Sequence, residues 1–230
     1  MALLFTPLKM GAQTLPNRIC VPPMCCCLAR EGVGSDELIA HYEKLAASGA
    51  GLVVIEATAV RADGRITTRC LGLYNDEQER FFKRLLKACR AVAPAETKFF
   101  LQLSHCGRKG SRKDPKTGHG TLLPEEGGFA LMAPSAVAYT PQAPMPREMT
   151  EADIDRMLQA FEAAAHRAAR VGFDGIQIHA AHGYLVHQFL SPVTNRRTDN
   201  WGGSLQNRQR FALEVVKAVQ RGAPELDVMV

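Results

Sequence analysis

No stretch of this 230-residue chain approaches the roughly 18 consecutive apolar residues that a membrane span needs, so no bilayer partner is expected. The start, Met1-Ala2-Leu3-Leu4-Phe5-Thr6-Pro7, carries neither a basic leader nor a small-residue cleavage site. Export is not expected from it, and the cytoplasm is the default compartment. An even set of cysteines is also missing. The seven present argue against a disulfide framework. Three of them, Cys25, Cys26 and Cys27, are consecutive, where a zinc site wants the two-residue gap of C-x-x-C. No metal site is expected. Basic residues outnumber acidic ones, 28 to 23, but they are scattered or lie in loops such as residues 108–113. No aromatic residues are interleaved with them for base stacking, so no nucleic-acid partner is expected. Solvated loops, or a patch for an anionic cofactor, explain the charge. No G-x-G-x-x-G follows the first strand, which removes a Rossmann dinucleotide site.

What is present is an alternation of strands and helices. Residues 4–19 read as two extended pieces broken at Met10-Gly11, hence a hairpin. Arg18 to Val21 is a short strand ending in Pro22-Pro23, and a helix runs from Asp36 to Ser48 with Gly49 as its stop. Leu52 to Ile55 is a continuous apolar run, the mark of a parallel strand buried on both faces. A second helix starts near Asp76 and ends before Pro94, and Lys98 to Leu103 is the third strand. The connection over residues 107–149 is too long for an ordinary loop and reads as a functional excursion. Thr150 and Asp153 form a capping box for a helix that Gly172 closes. Residues 173–178 form the fourth strand, a helix starts at Ser204, and residues 226–230 begin a fifth strand.

Strand alternating with helix is a parallel α/β pattern. The candidate chemistry follows strands one, three and four, always at carboxyl ends, which suits a (β/α)₈ TIM barrel better than a doubly wound sheet. Residues 1–230 are read as a single domain: the hairpin, four βα units and the start of strand five. That is about the first half of a barrel. Such a sheet cannot close by itself, so the chain is expected to be a fragment or to take its other half from another chain.

The run Ile178-His179-Ala180-Ala181-His182-Gly183-Tyr184 delivers two imidazoles and a phenol together at the carboxyl end of the fourth strand. A single polar ring at a strand end is usually a satisfied packing residue. Three such groups within six residues point instead to a site. Neutral imidazoles can donate hydrogen bonds to a substrate oxygen, and a tyrosine beside them can supply a proton.

Several blocks together resemble the old yellow enzyme family of flavin-dependent ene-reductases, most of all its bacterial branch with a cysteine near the flavin. They are Leu15-Pro16-Asn17-Arg18-Ile19 with Pro22-Pro23-Met24-Cys25, Glu56-Ala57-Thr58 with Gly64-Arg65, and Gln102-Leu103-Ser104-His105. The longest runs from His179 through Phe189-Leu190-Ser191-Pro192 and Arg197-Thr198-Asp199 to Asn207-Arg208. The resemblance covers essentially the whole chain, in order. It implies a TIM barrel holding FMN at its carboxyl mouth, with NADPH or NADH as reductant. Its implied substrate is a small-molecule activated alkene, such as an α,β-unsaturated carbonyl. His179 and His182 would donate to the carbonyl oxygen on which charge develops. Tyr184 would protonate the α-carbon. Gln102 would meet the flavin's pyrimidine edge, while Pro22, Pro23, Met24, Cys25 and Ala57 would pack along or bond to the ring.

The departures carry expectations too. Cys27 stands where this branch has a substrate-contacting tyrosine, which places Cys27 at the substrate. Trp201 replaces a tyrosine, and the excursion over residues 110–128 looks longer than usual. An arginine on strand five and the phosphate loops after strands seven and eight are not in this sequence, so weak FMN binding is expected. The second reading is a non-catalytic remnant or assembly partner of such an enzyme. Homo-oligomerisation is left open.

Overall fold

The computed structural model describes residues 2–230. In chain order its elements are β1 (Leu8–Met10), β2 (Gln13–Leu15), β3 (Cys20–Val21), β4 (Ala29–Arg30), β5 (Val33–Gly34) and α1 (Asp36–Ala46). Then come β6 (Leu52–Ala59), α2 (Asp76–Val92), β7 (Lys98–Ser104), β8 (Met132–Ala133), β9 (Arg147–Glu148) and α3 (Glu151–Val171). The last are β10 (Gly175–Ile178), α4 (Leu185–Leu190), α5 (Leu205–Gly222) and β11 (Asp227–Met229).

The sheet that organises them has the order β11-β10-β7-β6-β3, every pair parallel. Each new strand is added beside the one before it, so the sheet grows in one direction and never reverses. That is the winding of a barrel, here about half of one, and it has no topological switch point. The helix signals read from the sequence act as caps. The Ser35, Asn75, Thr150 and Ser204 side chains each accept from a backbone N–H three residues on, and Gly172 closes α3 at φ 97°. The structure ends α1 at Ala46, two residues before Ser48, and extends the second sheet strand to Ala59.

Alternation sorts the strand residues. Val53 and Ile55 of β6, with Phe99, Leu101 and Leu103 of β7, face the helices and join Phe82, Leu85, Met157, Phe161, Phe211 and Val215 in the main core. Leu52, Val54 and Phe100 face the other way, where they meet Leu15, Leu8 and Met10 of the β1–β2 hairpin. The hairpin turns at Gly11, whose φ of 57° is a left-handed conformation that glycine adopts without steric cost. It lies across the bottom of the sheet, and the Asp227 carboxylate accepts from the amides of Ala12 and Gln13 at 3.0–3.1 Å. Leu4 and Phe5, read as hairpin, lie instead in a short 3₁₀ turn over Leu3–Phe5.

One irregularity decides what faces the top. Between Ile55↔Leu101 and Thr58↔Leu103 the β6 strand spends three residues against two, a β-bulge. Strict alternation would carry Glu56 to the face occupied by Leu52 and Val54. The extra residue sends Ala57 there instead. Glu56 turns inward, where its carboxylate accepts from Tyr42 Oη at 3.3 Å and from the Cys26 amide at 3.2 Å.

Candidate active site

The carboxyl ends of β3, β6, β7 and β10 open onto a cavity of 690 Å³. Pro22, Pro23, Cys25, Ala57, Gln102, His179, His182 and Tyr184 all line it, so eight residues read from the sequence meet at one place. Two others do not. Met24 is 51% exposed and points to solvent. Cys27 is buried with φ 55°, and this left-handed backbone turns its thiol toward Thr67 and Cys70 rather than the cavity. Cys27 therefore does not line the cavity in which the resemblance would have it meet a substrate.

On the floor, Gln102 and Gln177 are register partners on β7 and β10, and the Gln102 amide donates to Gln177 Oε1 at 2.7 Å. This leaves Gln102 Oε1 free as an acceptor and Gln177 Nε2 as a donor, side by side. Gln177 was not picked out from the sequence. Its signal was the alternation that places residues 177 and 179 on one face. Below them, Gly175 lets the Phe100 ring approach so closely that a Cβ would sit 2.3 Å from its tip.

The three rings are brought together by a tight turn. The His179 amide continues the ladder to Leu103 O at 2.9 Å, and the chain then reverses through His182 at φ 57° and Gly183 at φ 73°. A histidine in this conformation costs of order 1–3 kcal/mol and persists only where its surroundings hold it. Three side chains do so, His187 among them, whose Nδ1 accepts from the Gly183 amide at 2.8 Å. Lys109 Nζ donates to His182 O at 2.7 Å, and Gln188 Nε2 donates to Gly183 O at 2.7 Å. Gln188 is fully buried and also binds the chain at Cys106 O and the Arg108 amide, tying the loop after β7 to the loop after β10. Tyr184 is the residue that enters α4. The result is a nearly perpendicular set: His179 lies 5.2 Å from His182 and 4.9 Å from Tyr184, centroid to centroid.

Electrostatics fixes the protonation of His179 and Tyr184. Burial, with help from the neighbouring His182 and Lys109, lowers the pKa of His179 from 6.5 to about 4, so the ring is neutral at neutral pH. Its Nδ1 accepts from the Ala181 amide at 3.3 Å, which leaves the proton on Nε2 as a donor. Burial, reinforced by the nearby thiols of Cys25, Cys70 and Cys106, pushes the Tyr184 phenol up to about 12. It is a proton carrier across the whole ordinary pH range. Lys109 adds a cation 5.1 Å from the Tyr184 ring and 5.0 Å from Tyr139, which the long excursion brings to the rim. No group of His, Cys, Asp and Glu among the described residues is arranged to hold a metal ion, and no helix there is long and apolar enough to cross a membrane.

Comparison with known proteins agrees with this geometry. Residues 3–229 match the model of the NADH:flavin oxidoreductase / NADH oxidase family. The NADPH dehydrogenase of Listeria welshimeri is 43% identical over 222 residues, which are 96% of this chain and 60% of that protein. Among solved structures, morphinone reductase superposes with a TM-score of 0.83 at 33% identity, over 98% of this chain and 61% of its own. An old yellow enzyme from Pichia sp. gives 0.85 at 30% identity, over 98% and 58%. The chain thus spans about 60% of the length of the relatives it matches. The match runs through the hairpin, the half-barrel and the cavity alike, and on it the chain belongs to the NADH:flavin oxidoreductase / NADH oxidase family, to which the old yellow enzymes belong.

Proposed function

We propose that the cavity receives the ring of FMN, and that the chain carries part of the active site of an NAD(P)H-dependent reductase of activated alkenes. The observation that carries the reading is the meeting of His179, His182 and Tyr184 over a cavity whose floor presents an acceptor beside a donor. Gln102 Oε1 and Gln177 Nε2 match an imide edge, which offers a donor flanked by acceptors. Pro22, Pro23 and Ala57 supply flat apolar wall beside it. These residues fit the ring. None of the residues lining the cavity is an Arg or Lys, so they offer nothing comparable to the phosphate.

Bound there, FMN would supply the redox chemistry, taking a hydride from NAD(P)H and delivering it to the β-carbon of an α,β-unsaturated carbonyl. The residues of this chain handle charge and protons. His179 Nε2–H and a ring N–H of His182 converge on the position of the carbonyl oxygen, where negative charge grows as the alkene is reduced. A fixed donor aimed at such an oxygen is worth about 3–4 kcal/mol of barrier. Tyr184 Oη–H, with its proton held tightly by burial, protonates the α-carbon. Lys109 and Gln188 keep the turn from relaxing and so keep the two imidazoles aimed. The cations Arg108, Lys109 and Arg112 around Tyr139 suit the approach of an anionic pyridine nucleotide.

The test is anaerobic. FMN-supplemented protein is mixed with NADPH, flavin bleaching is recorded, and cyclohexenone is then added. Bleaching followed by recolouring on addition of the enone supports the reading. Recolouring by enone at the rate of free reduced FMN would sink it.

A further inference from the structure

The proposed reaction leaves one buried ring without a part. His105, just past the carboxyl end of β7, is buried, and its Nε2 has no hydrogen-bond partner. Its other nitrogen is engaged: the Gly107 amide donates to Nδ1 at 3.1 Å. A nitrogen that accepts carries no proton, so in the neutral ring the proton sits on Nε2. Nε2 faces the Asp63 carboxylate on the loop after β6, whose Oδ1 is 3.6 Å away. That is too long for a hydrogen bond but near enough for the negative charge to favour the proton on that side. Asp63 is itself fixed, because Arg61 grips it through two bonds of 2.9 Å. The ring is also pinned from its edge: a Cβ at Gly64 would lie 2.6 Å from His105 Cδ2, and the Cys106 amide donates to Gly64 O at 2.9 Å.

The turn that the Gly107 bond closes is the one that reaches the three rings of the site. His105 O accepts from the Leu185 amide at 3.0 Å, immediately after Tyr184. Cys106 O and the Arg108 amide are the groups through which Gln188 grips this loop, and Lys109 is the cation on His182 O. These ties all leave from residues 105–109. We propose that Asp63 and His105 are positioning residues for the site. Asp63 selects the Nε2–H tautomer of His105, that tautomer accepts the Gly107 amide, and the turn so closed aims Lys109 and Gln188 at the loop carrying His182 and Tyr184. Neither residue lines the cavity. The inference rests on the reading of that loop as the oxygen-binding and proton-donating site, whereas the tautomer can be read without it. Asp63→Asn removes the selecting charge and lets an amide N–H face Nε2, which shifts the proton to Nδ1, where it opposes the Gly107 N–H. His105→Asn abolishes the choice: the Asn side-chain oxygen accepts from the amide two residues on, whatever stands at position 63.

The test is a cycle of Asp63→Asn and His105→Asn, singly and together. Nitrogen-15 NMR of the imidazole reads the His105 tautomer, hydrogen exchange reads the Gly107 amide, and titration of FMN-supplemented protein with 4-chlorophenol reads the site. Wild type should show the Nε2–H form. In Asp63→Asn the Nδ1–H form should gain, Gly107 should exchange about tenfold faster, and phenol affinity should fall about fivefold. His105→Asn should retain phenol affinity to within about twofold, and adding Asp63→Asn to it should change nothing further, because the coupling runs through the imidazole. Should Asp63→Asn fail to fold, His105→Asn is compared with His105→Ala, and only the alanine should quicken Gly107 exchange and weaken phenol binding. A wild-type ring protonated at Nδ1, or an Asp63→Asn effect as large with Asn at position 105 as with His, would overturn the proposal. Wild-type protein that binds no phenol, while tautomer and exchange behave as stated, would sink the proposed function and still support the link from Asp63 to the turn.

Discussion

Lys109 Nζ donates to the carbonyl oxygen of His182 at 2.7 Å, although the two residues lie on different strand-end loops 73 positions apart. The bond falls on a residue at φ 57°, so a cation from the loop after β7 holds a strained imidazole on the loop after β10. Lys109→Met keeps most of the stem and removes the donor. We expect the affinity of FMN-supplemented protein for a phenolic ligand to fall about fivefold to tenfold, the ~1–1.5 kcal/mol of one net hydrogen bond. The thermal midpoint should hardly move. Calorimetric titration of both proteins settles it, and equal affinities would leave Lys109 without a positioning role.

Tyr184→Phe removes the proton and keeps the ring. Flavin bleaching by NADPH should proceed as in the wild type, while recolouring by an enone should slow by about 10²-fold, the usual size of a general-acid contribution. Stopped-flow measurement of the two half-reactions separates them. Equal slowing of both would argue that Tyr184 only packs.

With no Arg or Lys lining the cavity, the phosphate of FMN should add little to binding. The chain should therefore bind lumiflavin, which lacks the ribityl phosphate, within about threefold of FMN, whereas an Arg–phosphate contact would add more than tenfold. Gln177→Leu removes the partner of Gln102 and the free donor together, and should weaken both ligands by about tenfold. Fluorescence quenching reads all four affinities. A large preference for FMN would show that a cation reaches the phosphate from outside the lining.

The depressed pKa of His179, about 4 against 6.5 for a free imidazole, makes a stability prediction. Above pH 6.5 the ring is neutral in both folded and unfolded chains and contributes no slope. As pH falls from 6.5 to 4 the unfolded chain takes up the proton and the folded one does not, so stability drops. Urea unfolding of wild type and His179→Gln across this window should diverge by on the order of 2–3 kcal/mol. Parallel curves would place the titration elsewhere.

Helix boundaries were legible because their signals are local: Thr150 with Asp153 at one end of α3 and Gly172 at the other need no tertiary knowledge. The clustering of His179, His182 and Tyr184 was legible for the same reason, since they lie within one turn. The bulge in β6 was not, because Leu-Val-Val-Ile-Glu-Ala-Thr-Ala reads as an unbroken strand, and only pairing with β7 reveals the extra residue. Cys27 is expected at the substrate only from the resemblance, in the place of a tyrosine, and nothing local in the sequence marks the left-handed backbone that it adopts. Lys109 and Gln188 act between loops far apart in sequence, and nothing local marks them.

The latch between Asp227 and the amides of Ala12 and Gln13 spans up to 215 residues. At 5–20 residues per second of synthesis, roughly 10–40 s separate the emergence of its two halves. The β1–β2 hairpin can settle against Leu52, Val54 and Phe100 as soon as β6 and β7 are made, but its turn stays unlatched until the fifth strand arrives. A segment made early is thus secured by one made late, and for that interval only apolar packing holds it.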